Sequence, residues 1–155
     1  MPGKKDAWDK AKKLRDKEFD QRDTEIKKWK DLYKRWRQLV ENGDIDGAKA
    51  KNAELSKQGQ VVADCMSVID GKLEAMTALQ AATKKDEAKR AIRKLVKDEA
   101  DEFYEIATAI FPDFMGGAFS PAKIKNHRDA IAKLNALSLQ IKGKEEIAAI
   151  VEKDW

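Results

Sequence analysis

Apolar side chains recur at heptad spacing in the first quarter of the chain. From residue 6 to residue 42 there is neither proline nor glycine, and six of the seven seam positions that begin at Phe19 are apolar. This spacing predicts a helix that buries one stripe against a partner helix. The seam positions are Phe19, Arg22, Ile26, Trp29, Tyr33, Trp36 and Val40.

A turn signal follows this helix at once. The sequence Asn42-Gly43-Asp44 is typical of a helix that ends on a glycine in the left-handed conformation. Asp44 is then in position to cap the next helix with its side chain. Because two long helices joined by so short a turn must fold back on each other, we expect an antiparallel hairpin. The second seam consists of Ala48, Asn52, Leu55, Gly59, Val62, Met66, Ile69, Leu73 and Met76.

One register of this hairpin matches large side chains with small ones. If the arms pair symmetrically about the turn, facing residues have numbers that sum to about 88, so Trp29 faces Gly59 and Ile26 faces Val62. The register gives a reason for a glycine in the middle of a helix, where it otherwise costs about 1 kcal/mol. We predict this pairing.

Three further helices are predicted in the second half of the chain. The third begins at Thr83 or a neighbouring residue, with Thr83 in capping-box spacing from Asp86, and the fourth begins at Ser120 and ends at Gly143. We therefore predict an all-α bundle of four to five helices, built on a long antiparallel coiled-coil-like hairpin, with no internal repeat of fixed period. The predicted single domain covers residues 1–155, with helices at about 6–42, 45–82, 84–111, 121–142 and 144–153.

The inventory of reactive side chains argues against catalysis. Cys65 is the single cysteine and His127 the single histidine, so no thiolate cluster can hold a metal and no pair of Glu-x-x-His motifs is present for a carboxylate metal site. No nucleophile motif surrounds His127. No glycine-rich phosphate loop precedes a helix. We expect no enzyme activity, no catalytic residue, no metal site and no cofactor, with Cys65 packed as a small hydrophobic residue.

The chain has no apolar run of the roughly 20 residues that a membrane span requires, and its N-terminus is charged without the apolar core of a signal peptide. We therefore expect a cytoplasmic protein with no membrane span.

Basic residues are concentrated in the first helix. The net charge is +4, and residues 1–37 contain 14 basic and 8 acidic side chains. Cations next to aromatic rings are typical of nucleic-acid surfaces. Trp29, Tyr33 and Trp36 lie on the seam, however, which favours a core role, and the cations alternate with acids as in a solvated helix. Nucleic-acid association by the first helix is the second hypothesis.

The third helix and the loop after it carry the candidate partner surface. Residues 84–97 hold seven basic and two acidic side chains, whereas residues 98–105 hold five acidic and none basic, the reverse of what the helix dipole favours. Aromatic and methionine side chains crowd the following loop, either to close the end of the bundle or to anchor a partner. The predicted partner-binding residues are Phe114, Met115, Phe119, Asp98, Asp101, Glu102 and Glu105.

These features favour a non-enzymatic protein that binds another protein, as an adaptor, a chaperone or a neutraliser of that protein. The acidic rim favours a basic partner. A homo-oligomer formed through the long hairpin is a further possibility that the sequence leaves open.

Overall fold

The computed structural model describes residues 3–113 and 121–155, and all of its regular structure is helical. It confirms the prediction of an all-α helical bundle. Five α-helices and one short 3-10 turn, Phe111–Asp113, make up the described part of the chain. The helices are α1 (Lys4–Glu41), α2 (Ile45–Ala81), α3 (Lys85–Ile110), α4 (Pro121–Asn126) and α5 (Arg128–Asp154).

Contacts divide the helices into two compact units. The hairpin unit, Leu14–Met66, contains the turn between α1 and α2. The bundle unit contains the chain up to Lys13 and Ser67–Trp155, including α3 to α5. Because α1 and α2 both continue through the boundary, this division does not test the prediction of one domain, which stays a prediction.

The turn of the hairpin unit forms as the sequence predicts. Gly43 has a φ of +75°, the left-handed conformation that glycine adopts without strain. Its N–H donates to the carbonyl of Val40 at 3.1 Å, and the N–H of Asp44 donates to the carbonyl of Leu39 at 3.0 Å. The Asp44 side chain then accepts a hydrogen bond from the N–H of Gly47 at 2.9 Å and so caps the start of α2.

The predicted register of the hairpin is confirmed at its central pair. A Cβ atom built on Gly59 would lie 3.6 Å from Nε1 of Trp29, and Ile26 and Val62 line the same groove. That distance is an ordinary van der Waals contact, so the position has room for alanine but not for a large side chain. The Trp29 ring is stacked on the ring of Tyr33 with centroids 5.4 Å apart.

Small and branched residues fill the core of the bundle unit. Ala7 and Ala11 from α1 and Ala88 and Ile92 from α3 are buried there. They pack with residues of α2, of the segment after it, and of α5, namely Ala75, Met76, Leu79, Ala82, Ile147 and Val151. The alanines on α1 and α3 allow the helices to approach closely.

One predicted boundary and one predicted capping pair in this unit are wrong. The helix does not stop at Gly143: α5 runs from Arg128 to Asp154 without a break, and the interruption lies at His127, where φ is −111° and ψ is 21°. Gly143 is helical, and the backbone of α2 packs against it. Thr83 does not pair with Asp86 either; its hydroxyl donates to the Glu87 carboxylate at 3.0 Å, and the N-cap of α3 is Lys84, with no side-chain hydrogen bond.

Gly71 on α2 and Gly143 on α5 mark the point where these helices cross backbone to backbone. A Cβ on Gly71 would clash with the Gln140 carbonyl oxygen and lie 2.8 Å from its carbonyl carbon. A Cβ on Gly143 would clash with the Val68 carbonyl oxygen and lie 3.0 Å from the N of Lys72. Neither obstacle is a flexible side chain, so only glycine fits at the two positions.

The crossing contains a repeat that the sequence analysis missed. Residues 69–74 and residues 141–146 share the pattern Ile-x-Gly-Lys-x-Glu, at an offset of 72 residues. Under this offset Gly71 corresponds to Gly143, and the residue that each contacts corresponds likewise, since adding 72 to Val68 gives Gln140. This is expected when an approximate two-fold axis relates two antiparallel helices. Core residues follow it too, since Ala75 corresponds to Ile147 and Leu79 to Val151.

The starts of α1 and α3 show a related correspondence, at an offset of 81 residues. Nζ of Lys4 donates to the carbonyl of Gln80 at 2.7 Å, and Nζ of Lys85 donates to the carbonyl of Glu152 at 2.8 Å. Each lysine thus binds a carbonyl that has no partner within its own helix, near the C-terminus of α2 or of α5, where positive charge is favoured. Within the bundle unit, the contact of α1 with the end of α2 therefore resembles the contact of α3 with the end of α5.

We expect Gly71→Ala to destabilise the protein by about 3 kcal/mol or more, because the added methyl group must push two helix backbones apart. Gly59→Ala is the matched control. It makes the same change in the same helix where a methyl group fits, and should stabilise the protein by up to about 1 kcal/mol through helix propensity. Urea unfolding followed by circular dichroism measures both. Similar effects of the two substitutions would contradict the close crossing.

Candidate protein-binding surface

Two fully buried lysines follow the crossing glycines. Lys72 and Lys144 are each 0% exposed. Nζ of Lys72 lies 2.7 Å from a carboxylate oxygen of Glu146, and Nζ of Lys144 lies 2.7 Å from one of Glu74. A buried ammonium group is tolerated only when it is paired, so each helix provides the counter-ion for the other. The pairs hold α2 and α5 in one antiparallel register.

A third carboxylate connects α3 to this network. Glu99 Oε1 accepts a hydrogen bond from Nζ of Lys144, and the Glu99 side chain is only 13% exposed. Its second oxygen is buried and has no hydrogen-bond partner within the described residues. Burying a carboxylate away from water is unfavourable without its ion pair. Glu99 therefore lies on the inward side of α3, together with the buried Ala88 and Ile92.

The acidic residues predicted for the partner surface lie on the outer side of α3. Asp98, Asp101, Glu102 and Glu105 are all exposed. Asp101 lies 3.9 Å from Nζ of Lys97 and Glu102 lies 3.8 Å from Nζ of Lys133, both long contacts between exposed groups. Exposed pairs of this kind contribute little energy and leave the carboxylates available to another molecule.

An aromatic strip borders the acidic one. Tyr104 is 71% exposed and Phe111 is 60% exposed, and with Ala107 and Thr108 they line a shallow groove. The spacing of four and seven residues places Tyr104, Thr108 and Phe111 on one side of the helix. We call the two strips together the α3 face; it consists of Asp98, Asp101, Glu102, Tyr104, Glu105, Ala107, Thr108 and Phe111.

Tyr104 was missed by the sequence analysis, which considered Phe111 only as part of the loop. The neighbouring Phe103 follows the inward spacing with Ile106 and Ile110, and all three are partly buried. Tyr104 is one position out of that phase, and this is the signal that could have identified it. Three predicted residues, Phe114, Met115 and Phe119, lie outside the described residues, and their role stays a prediction.

The geometry around the remaining reactive side chains offers no metal site. In residues 3–113 and 121–155, no group of three or more histidine, cysteine and carboxylate side chains could hold a metal ion. His127 lies at the boundary between α4 and α5. None of the helices described is long and apolar enough for a bilayer span.

Comparisons of the chain with family models, curated proteins and solved structures found no match. The features of the described residues that bear on function are the exposed aromatic and acidic side chains of the α3 face and the charges elsewhere on the surface.

We expect Lys144→Met to destabilise the protein by about 3 to 5 kcal/mol, because Glu99 would be left buried without its counter-ion. Urea denaturation measures the change. Lys97→Met is the matched control: it removes a lysine that is 76% exposed, and should change stability by no more than about 0.5 kcal/mol. The double variant Lys144→Met, Glu99→Leu should recover much of the loss. Equal stabilities of the two single variants would show that the network is not buried in solution.

Cys65 should behave as an unreactive thiol. Burial raises the pKa of the Cys65 thiol, and the carboxylates of Glu18, Glu25 and Asp64 raise it further. At a given pH near 8, the folded protein then holds less thiolate than the unfolded chain, and the thiolate is the reactive form. Alkylation by iodoacetamide should be several-fold slower in the folded protein than in urea. Equal or faster alkylation of the folded protein would contradict this assignment.

Proposed function

We propose that this chain is a non-enzymatic protein that binds another, basic protein through the α3 face. The observation that carries the proposal is the exposure of Tyr104 and Phe111 next to four exposed carboxylates on the same helix. A role as an adaptor, a chaperone or a neutraliser of another protein, in the cytoplasm, is consistent with such a surface.

The aromatic strip would supply most of the binding energy. Aromatic side chains bury large areas and dominate the energetics of protein interfaces. Tyr104 and Phe111 are two helical turns apart, which is the spacing at which a partner helix or groove presents successive pockets. The two rings line one groove and form a contiguous exposed apolar strip, which is the kind of surface that marks protein-binding sites.

The acidic strip would select the partner and speed its approach. Asp98, Asp101, Glu102 and Glu105 border the aromatic strip along one side, so a matching surface would carry an apolar stripe with lysine or arginine beside it. Rim charges of this kind mainly change the association rate and its salt dependence. The partner of the proposal is therefore an amphipathic basic helix.

A synthetic helical peptide provides the first test. It should be about five turns long, with leucine on one stripe and lysine elsewhere. We expect fluorescence anisotropy to show binding, and the variant Tyr104→Ala, Phe111→Ala to lose at least tenfold in affinity at an unchanged melting temperature. The control variant Val40→Ala, Ile45→Ala removes exposed apolar side chains near the hairpin turn and should bind like the unaltered protein.

The controls separate this proposal from its rivals. A peptide of the same composition with leucine scattered around the helix should bind at least tenfold more weakly, and a peptide with glutamate in place of lysine should not bind. Equal affinity for the ordered and scattered peptides would overturn the proposal, because only charge would then matter. Self-association that is lost in Tyr104→Ala, Phe111→Ala would replace the basic partner with a second copy of the chain.

A further inference from the structure

A second charged surface lies on the outer side of α1. Residues 27–37 contain six basic side chains and one acidic side chain, Asp31, and all seven are exposed. Four of the cations follow one another at spacings of three and four residues, which places them along one stripe of the helix. We call this stripe the basic strip; it consists of Lys27, Lys30, Lys34 and Arg37.

The basic strip is poorly neutralised, unlike the part of α1 that precedes it. Arg15 pairs with Asp16 at 3.1 Å and Arg22 with Asp23 at 3.2 Å. In the strip, Arg37 pairs with Glu41 at 3.1 Å, but Lys27, Lys30 and Lys34 form no ion pair within the described part of the chain. Unpaired lysines in a row repel one another and raise the local positive potential.

The facing helix of the hairpin unit does not compensate this charge. In the observed register, residues 51–61 of α2 lie opposite residues 27–37 of α1. Residues 51–61 contain Lys51 and Lys57 but only one acid, Glu54, which is occupied by Lys51 at 2.8 Å. The two segments together therefore have a net charge of +6. Elsewhere the hairpin unit is acidic.

The length of the strip suits a nucleic-acid backbone. From Lys27 to Arg37 the helix rises about 15 Å. One strand of a duplex places about four phosphates over that distance along its axis. Four cations thus meet about four phosphates in one row. Such contacts carry no sequence information and give binding that depends on salt.

The aromatic residues of this segment favour nucleic acid over a membrane. A helix that lies on a bilayer needs an apolar side that enters the lipid. Here Trp29 and Trp36 are partly buried in the seam, and Tyr33 is held between them at 5.4 Å and 5.8 Å between ring centroids. Tyr33 and Val40 are 41% and 50% exposed, but both are seam residues, so the basic strip itself carries no apolar anchor.

We propose that the basic strip binds the phosphate backbone of nucleic acid without sequence preference. This surface is separate from the α3 face, and its function does not depend on the proposed protein partner.

Fluorescence anisotropy with a labelled mixed-sequence DNA duplex tests the proposal. We expect the full-length protein to bind with a micromolar Kd at about 50 mM salt and to weaken steeply as salt is added. The variant Lys27→Gln, Lys30→Gln, Lys34→Gln should bind at least tenfold more weakly. The slope of log K against log salt should be shallower by about 3, since each lost phosphate contact contributes about 0.9.

A variant with the same net charge separates the strip from bulk electrostatics. Lys12→Gln, Lys13→Gln, Lys17→Gln changes three exposed lysines of the same helix outside the strip, and should keep nearly full affinity. Circular dichroism checks that both variants are folded. Three outcomes would overturn the proposal: no binding at about 50 mM salt, equal losses in the two variants, or strip-dependent binding to phosphatidylserine vesicles that is tighter than binding to DNA.

Discussion

The close contact of α2 and α5 at Gly71 and Gly143 is the constraint on which the bundle unit depends. Each glycine lets the backbones touch, and the lysine after it extends along the opposite helix to a carboxylate three residues beyond the other glycine. Hydrophobic contact alone would tolerate several registers. Two buried ammonium groups tolerate only the register that pairs both of them, so the network specifies the arrangement more than it stabilises it.

The same network reaches the helix that carries the candidate surface. Glu99 faces Lys144 on the inward side of α3, and the other acids of the segment lie with Tyr104 on the exposed side, where they form the α3 face. The repeat accounts for the paired arrangement. α2 and α5 each contribute a Gly-Lys-x-Glu segment, and α1 and α3 each begin with a lysine that binds a carbonyl near the end of α2 or α5. The parts of α1 and α2 outside the bundle unit form the hairpin unit, which carries the basic strip.

Sequence patterns predict the features whose causes are local. The hairpin turn depends on Gly43 and Asp44 themselves, and its register follows from seam residues such as Trp29 and Gly59. Gly143 was predicted to end a helix because glycine is common at helix ends. Glycine also occurs where two helices pack closely, and only the position of α2 shows which of these roles Gly143 has. The repeat escaped notice because its arms correspond at offsets of 72 and 81 residues, which no single period reveals. Tyr104 could have been placed on the outer side from the sequence, because it is out of phase with the inward-facing Phe103, Ile106 and Ile110.

Native-state hydrogen exchange tests the central role of the crossing most directly. If the crossing holds the bundle unit together, the amides of residues 68–79 in α2 and 140–151 in α5 should exchange only through global unfolding, with the same free energy of opening. The amides of the short helix α4 should exchange with a much lower free energy of opening. Exchange of one crossing segment at a free energy several kcal/mol below that of the other would contradict the account, because it would show that the two helices open independently.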